Sequence, residues 1–389
     1  MDLQFTPQET GFRREVREFL LANIPAGIRQ KVLEERHLTY EEIVLSHRIL
    51  NAAGYAVPHW PLEWGGRDWS PIQRAILMEE IERNGVPNPL AFNVALVGPL
   101  IAAFGTPAQQ RRFLPAIANL DLWFCQGFSE PGSGSDLASL STRAVREGDF
   151  YRVNGQKLWT TFANRADWMF ALVRTDPAAK RQKGISFLLI DMKSPGITVR
   201  PIGTIDGRHE VNEVFCADVL VPAENLIGEE NKGWDYAKSL LGRERVSIAH
   251  LGLCRRRLER VRRVATQQRV GDGTLWDDAN FRRKVVAAEV ALKALEITQF
   301  RVLASQAGGA TRLDPMTSIL KIKGSELQQL ATQLLLDAVG PAAVGAAGES
   351  DDWLSAVAPA YFGYRKVSIF GGSNEIQRNI LAKSILGLP

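Results

Sequence analysis

A glycine- and serine-rich segment spans positions 126–136, directly after an apolar stretch. It reads Gln126-Gly127-Phe128-Ser129-Glu130-Pro131-Gly132-Ser133-Gly134-Ser135-Asp136. Glycines allow a backbone to approach a ligand closely, and free N–H and hydroxyl groups suit the polar atoms of a cofactor. By itself the segment predicts either a cofactor-binding loop or an ordinary surface loop.

A second candidate segment reads Asn154-Gly155-Gln156-Lys157-Leu158-Trp159-Thr160-Thr161. The Asn154-Gly155 pair predicts the turn of a β-hairpin, with a strand after it. Trp159 then has two interpretations, because a tryptophan in this position either belongs to the core or stacks on a flat cofactor ring.

A single carboxylate interrupts an apolar row that follows the three- and four-residue steps of one helix face. The row consists of Leu241, Glu244, Ile248, Leu251, Cys254, Leu258 and Val261. A buried carboxylate is costly unless it is paired or neutral, and desolvation raises its pKa toward the range of a useful general base. Glu244 is therefore a candidate proton acceptor; the alternative is that it pairs with Arg243 or with a neighbouring helix.

Composition restricts the class of protein. The 389 residues are 45% hydrophobic and 23% charged, as in a globular protein of two or three domains. A net charge of +4 favours anionic ligands without indicating nucleic acid. Three distant cysteines argue against a disulfide framework or a metal site. Because neither a ~20-residue apolar stretch nor a secretory signal is evident, we expect a cytoplasmic protein without a membrane partner.

The elements that would position these residues change type along the chain. Up to about residue 120, Thr6, Ser70 and Thr106 each begin a hydroxyl–proline–x–Glu/Gln pattern that predicts a helix start. Thr39 begins a similar capping box without the proline, and Gly54 and Gly85 fit helix ends. This part of the chain is predicted to be helical.

The middle of the chain, about 121–230, is predicted to be β-structure. No long helical period separates its strands, so an antiparallel barrel or sandwich is favoured over βαβ units. Gly148-Asp149 is a further turn signal. The candidate strands are Trp123–Ser129, Arg143–Val145, Tyr151–Val153, Lys157–Thr161, Trp168–Arg174, Ile185–Asp191, Ile197–Ile202 and Val214–Val221.

Long helical periods return from about residue 232. They predict helices over roughly 233–268, 279–306 and 316–339, and a last one after Ser373. The basic run from Arg255 to Arg263 is interrupted at helical spacing by Leu258 and Val261. We interpret it as the polar side of an amphipathic helix.

Taken together and in this order, the two candidate segments resemble the flavin-binding segments of the acyl-CoA dehydrogenase family. The resemblance covers essentially the whole chain, including the stretches 58–66 (Pro-His-Trp-Pro-Leu-Glu-Trp-Gly-Gly) and 370–378 (Phe-Gly-Gly-Ser-Asn-Glu-Ile-Gln-Arg). It implies an N-terminal all-α domain (1–120), a middle β-barrel or sandwich domain (121–231) and a C-terminal four-helix bundle (232–389). It also implies α,β-dehydrogenation of an acyl-CoA thioester with FAD, and an electron-transfer flavoprotein as partner.

The resemblance assigns further roles position by position. Ser373 and Glu375 match positions near the AMP part of FAD, where Glu375 replaces the usual glutamine. Ser135 matches a serine along the acyl or pantetheine arm. Arg245 matches an arginine near the CoA moiety, with an exposed ion pair as the alternative. The residues implied at the isoalloxazine ring are Gln126, Phe128, Ser129, Trp159 and Thr161.

The family pattern changes at the catalytic base. In many members the base precedes the Gly-Thr/Ser of the terminal motif, where this chain has Gly371, which cannot accept a proton. A subset carries its base on the first long helix of the bundle, and Glu244 falls on that position. The resemblance thus implies that Glu244 takes the α-proton while the β-hydrogen leaves as hydride to flavin N5. The backbone N–H of Gly371 is implied to hold the thioester oxygen, since a backbone donor survives replacement by glycine.

Two features that reach a neighbouring subunit's FAD are also changed. Positions 268–271 read Gln-Arg-Val-Gly in place of an arginine and a phenylalanine, and 337–341 read Asp-Ala-Val-Gly-Pro in place of Gln-x-x-Gly-Gly. The chain resembles the large subunits of α2β2 bacterial acyl-CoA dehydrogenases, which act on dicarboxylyl, aromatic or steroid side-chain thioesters. A homotetramer or an α2β2 heterotetramer is therefore implied.

Three functional hypotheses follow. The first is an active acyl-CoA dehydrogenase with Glu244 as base. The second is a non-catalytic subunit that completes the flavin site of another chain. The third is a different flavin reaction on the same fold, such as that of an oxidase or a monooxygenase.

Overall fold

The computed structural model describes residues 5–244, 249–307, 315–345 and 352–388. By its internal contacts the chain divides into two compact units. The helical unit comprises residues 1–49, 69–88 and 245–389, and the β-containing unit comprises residues 50–68 and 89–244. Within the described ranges, no helix combines the length and apolar character that a membrane span requires. The predicted domain boundaries at residues 120 and 231 stay predictions.

The predicted helix starts in the first part of the chain are confirmed. Helices α1 (Pro7–Asn23), α4 (Pro71–Arg83) and α6 (Pro107–Ala118) each begin with a complete capping box and a proline in the first turn. At α3 (Tyr40–Ala52), the Thr39 and Glu42 side chains bond each other's backbone N–H. The remaining helices of this part are α2 (Ala26–Glu34) and α5 (Gly98–Phe104), the latter preceded by a π-helix over Phe92–Val97.

The β-containing unit holds an eight-stranded sheet in the order β6-β7-β3-β2-β4-β5-β8, with β1 paired to β4. Neighbours are antiparallel, apart from the parallel β1–β4 pair and a single parallel contact between β2 and β4. The predicted β-structure and its largely antiparallel order are therefore confirmed. The strands are β1 (Phe124–Gly127), β2 (Arg143–Glu147), β3 (Phe150–Thr161), β4 (Trp168–Arg174), β5 (Ile185–Asp191), β6 (Ile197–Ile202), β7 (Val211–Pro222) and β8 (Leu226–Ile227).

One of the two predicted turns is wrong. Gly148 does connect β2 to β3, with φ of 59°. Asn154 and Gly155, however, lie inside β3, where the pairing with β7 is irregular between Val153 and Gly155. The Asn154 side chain bonds the backbone N–H and the carboxylate of Asp218 on β7. A Cβ on Gly155 would lie 2.7 Å from the Cα of Thr142, so this glycine serves a bulge and a close approach rather than a turn.

The single helix predicted over 233–268 is also wrong. Helix α7 (Gly233–Glu244) ends before α8 (Leu251–Gln267), and His250 between them has left-handed backbone angles, φ 47° and ψ 53°. The Glu82 carboxylate accepts hydrogen bonds at the start of α8, 3.1 Å from the N–H of Leu253, and lies 2.6 Å from His250 Nδ1. An anionic cap satisfies the free N–H groups of a new helix start, which a continuous helix would not offer.

The other long helices match the prediction. They are α9 (Ala279–Ala307) and α10 (Met316–Val339), followed by the short α11 (Ala342–Gly345) and α12 (Val357–Gly363) and by α13 (Asn374–Ile385). Helix α8 buries Cys254, Leu258 and Val261 in the core of the helical unit, as predicted for the apolar row. The Leu241, Glu244 and Ile248 side chains lie outside the described residues.

The basic run from Arg255 to Arg263, predicted to be the polar side of an amphipathic helix, is only partly exposed to solvent. Arg257 and Arg260 are 2% and 6% exposed. The Arg257 guanidinium bonds the buried Glu35 carboxylate at 2.5 Å and lies over the Tyr364 ring, 3.6 Å from its centroid. Burial raises the pKa of Glu35, but the attraction of Arg257 and its neighbours outweighs this effect and lowers the pKa overall. Glu35, the counter-ion of Arg257, lies at the end of α2, 222 residues earlier in the chain. The residue spacing within α8 therefore could not predict this pairing.

Candidate active site

The predicted site residues fall into two groups. Six lie in the β-containing unit and three in the helical unit. Glu244 is the last described residue of α7. Its side chain lies outside the described residues, and so does the whole of Arg245. The first group is Gln126, Phe128, Ser129, Ser135, Trp159 and Thr161, and the second is Gly371, Ser373 and Glu375.

The end of β1 and the second half of β3 bring part of the first group together. Ser129 O accepts a hydrogen bond of 2.8 Å from the N–H of Leu158, so Ser129 lies beside the strand segment that carries Trp159. Phe128 is buried and makes edge contacts with the rings of Phe170 and Phe187. The ring centroids are 5.8 and 5.6 Å apart, respectively. Apolar packing on one side and a backbone hydrogen bond on the other therefore fix Phe128-Ser129.

A buried ion pair, which the sequence reasoning missed, organises the loop after β1. Lys157 Nζ lies 2.8 Å from Glu130 Oε1 and also donates to the carbonyl oxygens of Phe128 (3.3 Å) and Leu172 (2.7 Å). Glu130 accepts further hydrogen bonds from the N–H groups of Ser141 (2.7 Å) and Thr142 (3.0 Å). These polar groups satisfy one another, as a buried charged pair requires.

Electrostatics keep the Glu130 carboxylate ionised. Burial raises the pKa of Glu130, but the Lys157 ammonium and the donors around the carboxylate outweigh burial and lower the pKa to about 2. Burial lowers the pKa of Lys157, and Glu130 opposes that shift. Both residues lie within the two predicted cofactor segments, and their opposite charges among apolar neighbours were a signal for the pairing.

Trp159 is the most unusual residue of this group. Its side chain is 57% exposed, and its backbone is left-handed with φ of 59°. The irregular pairing of β3 with β7 between Lys157 and Thr160 places Trp159 outside the regular ladder. A non-glycine residue in this conformation costs about 1 kcal/mol or more, which is consistent with a functional constraint.

Ser135 lies in the exposed part of the glycine-rich loop. A Cβ on Gly132 or Gly134 would meet no other atom within 4 Å, so this part of the loop is open. The hydroxyl of Ser133 anchors it by donating to Asp136 O at 3.2 Å.

In the helical unit, the segment before α13 has two consecutive left-handed glycines. The φ angles are 65° at Gly371 and 83° at Gly372. A Cβ on Gly372 would lie 2.7 Å from Gln377 Nε2, so a side chain there would be strained by the left-handed backbone and would have to displace the Gln377 amide. Ser373 then caps α13 by accepting from the N–H of Ile376 at 3.4 Å.

Glu375 is exposed in the first turn of α13. Hydrogen bonds from its own backbone N–H and from Ser373 hold its pKa below the ordinary value. A negative charge is favourable at this end of a helix. Glu375 therefore places a negative charge at the start of α13.

Helix α7, which ends at Glu244, is fixed at its other end. A Cβ on Gly233 would lie 2.6 Å from the carbonyl carbon of Ser186 on β5, so the helix begins tightly against the sheet. Tyr236 stacks on Phe104 with ring centroids 4.2 Å apart, and its hydroxyl accepts from the N–H of Glu229 at 3.0 Å. The direction of α7 toward Glu244 is thus set by contacts within the β-containing unit.

Three family models match the chain in succession. They are the acyl-CoA dehydrogenase N-terminal domain at residues 6–121, the middle domain at 125–219 and the C-terminal domain at 231–386. The chain therefore belongs to the acyl-CoA dehydrogenase family, whose members are flavin-dependent oxidoreductases and whose three-domain architecture it shares.

Individual relatives agree with this assignment. The chain is 36% identical to acyl-CoA dehydrogenase IpdE1 of Mycobacterium tuberculosis, with 97% of each chain covered. Among solved structures, it is similar to the Tcur3481-Tcur3483 steroid ACAD, with a TM-score of 0.88, 29% identity and complete coverage of both chains. It is also similar to the ChsE4-ChsE5 complex from Mycobacterium tuberculosis, with a TM-score of 0.85, 33% identity and complete coverage of both chains.

The described residues fit the FAD on which this family depends. Trp159 offers an exposed aromatic face. Gln126, Ser129 and Thr161 are partly exposed and supply uncharged donors and acceptors, which suit the polar edge of a neutral ring. In contrast, the nearby charges of Lys157 and Glu130 are turned inward and neutralise each other.

Proposed function

We propose that this chain is an FAD-dependent acyl-CoA dehydrogenase that converts an acyl-CoA thioester to the 2-enoyl-CoA, with Glu244 as the base. The observation that carries the proposal is the exposed, left-handed Trp159 beside the rigid Phe128-Ser129 segment. A large exposed aromatic side chain in a strained conformation is expected where a flat ligand covers it.

The cofactor contacts follow the roles that the family assigns to these positions. Gln126, Phe128, Ser129, Trp159 and Thr161 would contact the isoalloxazine ring, and Ser373 and Glu375 would lie near the AMP part. When bound, FAD supplies an acceptor for the β-hydrogen, which leaves the substrate as hydride.

The substrate would be activated by two groups of this chain. Gly371 has no side chain to accept a proton, so the carboxylate base must come from elsewhere, and Glu244 is our candidate. Glu244 would remove the α-proton, while the Gly371 N–H would donate to the thioester oxygen and stabilise the charge that develops there. Ser135 would lie along the pantetheine arm, and Arg245 near the CoA moiety.

We further propose a steroid side-chain thioester as substrate, an electron-transfer flavoprotein as electron acceptor, and an α2β2 heterotetramer. The similarity to a steroid ACAD and to a two-protein complex over the whole chain supports the substrate and the heterotetramer. The electron acceptor rests on the family resemblance. A linear fatty acyl-CoA as substrate and a homotetramer are the alternatives.

Anaerobic titration of the purified protein with acyl-CoA thioesters tests the reaction, because flavin reduction bleaches the absorbance near 450 nm. The panel contains short linear, long linear, aromatic, dicarboxylyl and steroid side-chain thioesters. Glu244→Gln should lower the reduction rate by about 10²–10⁴-fold with FAD still bound. The matched control is Glu259→Gln, an exposed glutamate that pairs with Arg83, and it should leave the rate unchanged. An unchanged rate in Glu244→Gln would exclude Glu244 as the base.

A second candidate function is that of a partner subunit that completes the flavin site of another chain. The similarity to a two-protein complex favours it. Positions 268–271 argue against it, because the arginine and phenylalanine that reach a neighbouring FAD in the family are replaced there, and the chain forms a small hairpin of β9 (Arg269–Val270) and β10 (Gly273–Thr274). Arg269 bonds Asp272 O at 3.0 Å within this hairpin rather than extending from it. If the purified chain is colourless and soluble only together with a second chain, this function is favoured. If the purified chain is yellow and a thioester bleaches it, this function is excluded.

A further inference from the structure

Helix α10 carries a row of polar residues within the core of the helical unit. The row advances by steps of three and four residues, which place its members on one helix face. Each member is at most 3% exposed, although burying a polar group without a partner costs free energy. We call this set the α10 polar row; it consists of Ser318, Lys321, Ser325, Gln328 and Thr332.

The α10 polar row bonds residues on both sides of Gly371. On the N-terminal side, Arg365 donates to Thr332 Oγ1 at 2.8 Å. On the C-terminal side, Asn374 Nδ2 donates to Ser325 Oγ at 3.0 Å, and Lys321 Nζ donates to Asn374 Oδ1 at 2.9 Å. At the end of the row, Ser318 Oγ donates to Gln377 Oε1 at 2.8 Å. The row therefore holds both ends of the segment that contains Gly371.

Lys321 is the member of the row whose burial costs the most free energy. Its side chain is 1% exposed, and among the described residues Asn374 Oδ1 is its only hydrogen-bond acceptor. Burial lowers the pKa of Lys321 to about 8, and Glu375 opposes that shift. A methionine of similar length would fill the same space without a charge, so stability alone does not account for a lysine here.

The residues next to Gly371, between Ser368 and Asn374, have little packing of their own. Ile369 and Phe370 are 68% and 52% exposed. Gly371 and Gly372, both left-handed, leave the backbone free to adopt other conformations at low cost. On the N-terminal side, the Phe370 N–H donates to Lys366 O at 3.2 Å, and Ser368 accepts from Gln329 Nε2 at 3.1 Å. On the C-terminal side, Asn374 is the nearest anchor of Gly371, three residues away, and the position of the Gly371 N–H depends on it.

We propose that Lys321 is a positioning residue for the reaction: through Asn374 it fixes the backbone N–H of Gly371. This inference rests on the proposed function, in which that N–H stabilises charge on the thioester oxygen. Such a donor acts only when it is held in place, and a displacement of about 1 Å can cost about 10²-fold in rate.

Amide hydrogen exchange by mass spectrometry tests the positioning without substrate. In the FAD-loaded protein, Lys321→Met should raise exchange about tenfold in peptides that cover 369–376, with α8 and α9 unchanged. Lys323→Met is the matched control, because Lys323 lies two residues away on α10, is exposed and pairs with Glu326. Asn374→Ala removes the acceptor and should reproduce the effect of Lys321→Met; the double variant should add little to either.

Kinetics test the consequence for the reaction. Lys321→Met should lower kcat about ten- to a hundredfold, with the thioester KM within about twofold and the FAD content unchanged. Unchanged exchange around Gly371, or a loss of activity that parallels loss of FAD or unfolding of the whole bundle, would overturn the proposal. If none of the tested thioesters reduces the flavin of the wild type, the proposed function fails. The exchange experiment still decides whether Lys321 holds the segment that contains Gly371.

Discussion

Lys157 Nζ lies 2.8 Å from Glu130 Oε1, and both side chains are almost completely buried. The pair joins β3 to the loop that follows β1, the two chain segments that carry most of the proposed flavin contacts. Rigidity of this part of the site therefore comes from charges that face the core.

Loss of the Lys157 ammonium should destabilise the fold strongly. Lys157→Met leaves the Glu130 carboxylate buried without its counter-ion, which is expected to cost about 3–5 kcal/mol in the free energy of unfolding. Urea denaturation followed by circular dichroism measures this value. As a control, Glu147→Gln removes one carboxylate partner of Arg152 at the surface and should leave the free energy of unfolding close to that of the wild type. Equal effects of the two substitutions would contradict the structural role of the buried pair.

The same pair predicts a pH dependence of stability. The pKa of Glu130 falls from an ordinary value of 4.5 to about 2 in the folded chain. Its ionised form therefore stabilises the fold fully above pH 4.5, and this contribution is lost as the pH falls from 4.5 toward 2. The difference in unfolding free energy between the wild type and Glu130→Gln should shrink over this range and stay constant between pH 5 and 7. A difference that is independent of pH down to 2 would refute the assignment.

Gly372 should not tolerate a side chain. Gly372→Ala places a Cβ in a left-handed residue and 2.7 Å from Gln377 Nε2, so we expect a loss of about 1–3 kcal/mol in unfolding free energy. Thermal denaturation provides the measurement. Gly11→Ala is the control, because Gly11 lies inside α1 with no atom near its Cβ position, and the substitution should stabilise by about 0.5–1 kcal/mol.

Trp159 should contribute to cofactor affinity and not to the stability of the apo-protein. Because the side chain is 57% exposed, Trp159→Ser should change the unfolding free energy of the apo-protein by no more than about 0.5 kcal/mol. Loss of stacking should raise the FAD dissociation constant about tenfold, as measured by fluorescence titration. Ile205→Ser, at a residue 78% exposed in the same unit, should alter neither quantity. Unchanged FAD affinity in Trp159→Ser would remove the main support for the proposed function.

Local patterns predicted the elements well. The capping boxes at Thr6, Ser70 and Thr106 depend on residues three apart and are present as predicted. The strands over Trp168–Arg174 and Ile185–Asp191 also agree with their predicted bounds. Where a structure depends on neighbours in sequence, the sequence is sufficient.

Long-range contacts account for the failures. Asn154-Gly155 reads as a turn, but β2 and β7 pair with β3 on both sides and keep it extended. The break before α8 depends on Glu82, which lies 168 residues from His250. Arg257 is buried because Glu35 comes from α2. The roles predicted for Glu244 and the other site residues stay predictions, since they depend on groups that a local pattern does not bring together.

The alternating steps of the α10 polar row make the length of this helix critical. Inserting one residue between Ser318 and Thr332 would rotate the two ends of the row by about 100° relative to each other. Thr332 would then turn away from Arg365 while Ser318 still faced Gln377. The exposed hairpin turn at Gly271-Asp272 carries no such constraint, and an inserted residue there changes only a surface loop. Relatives of different length are therefore expected to differ at this hairpin and to keep α10 residue for residue.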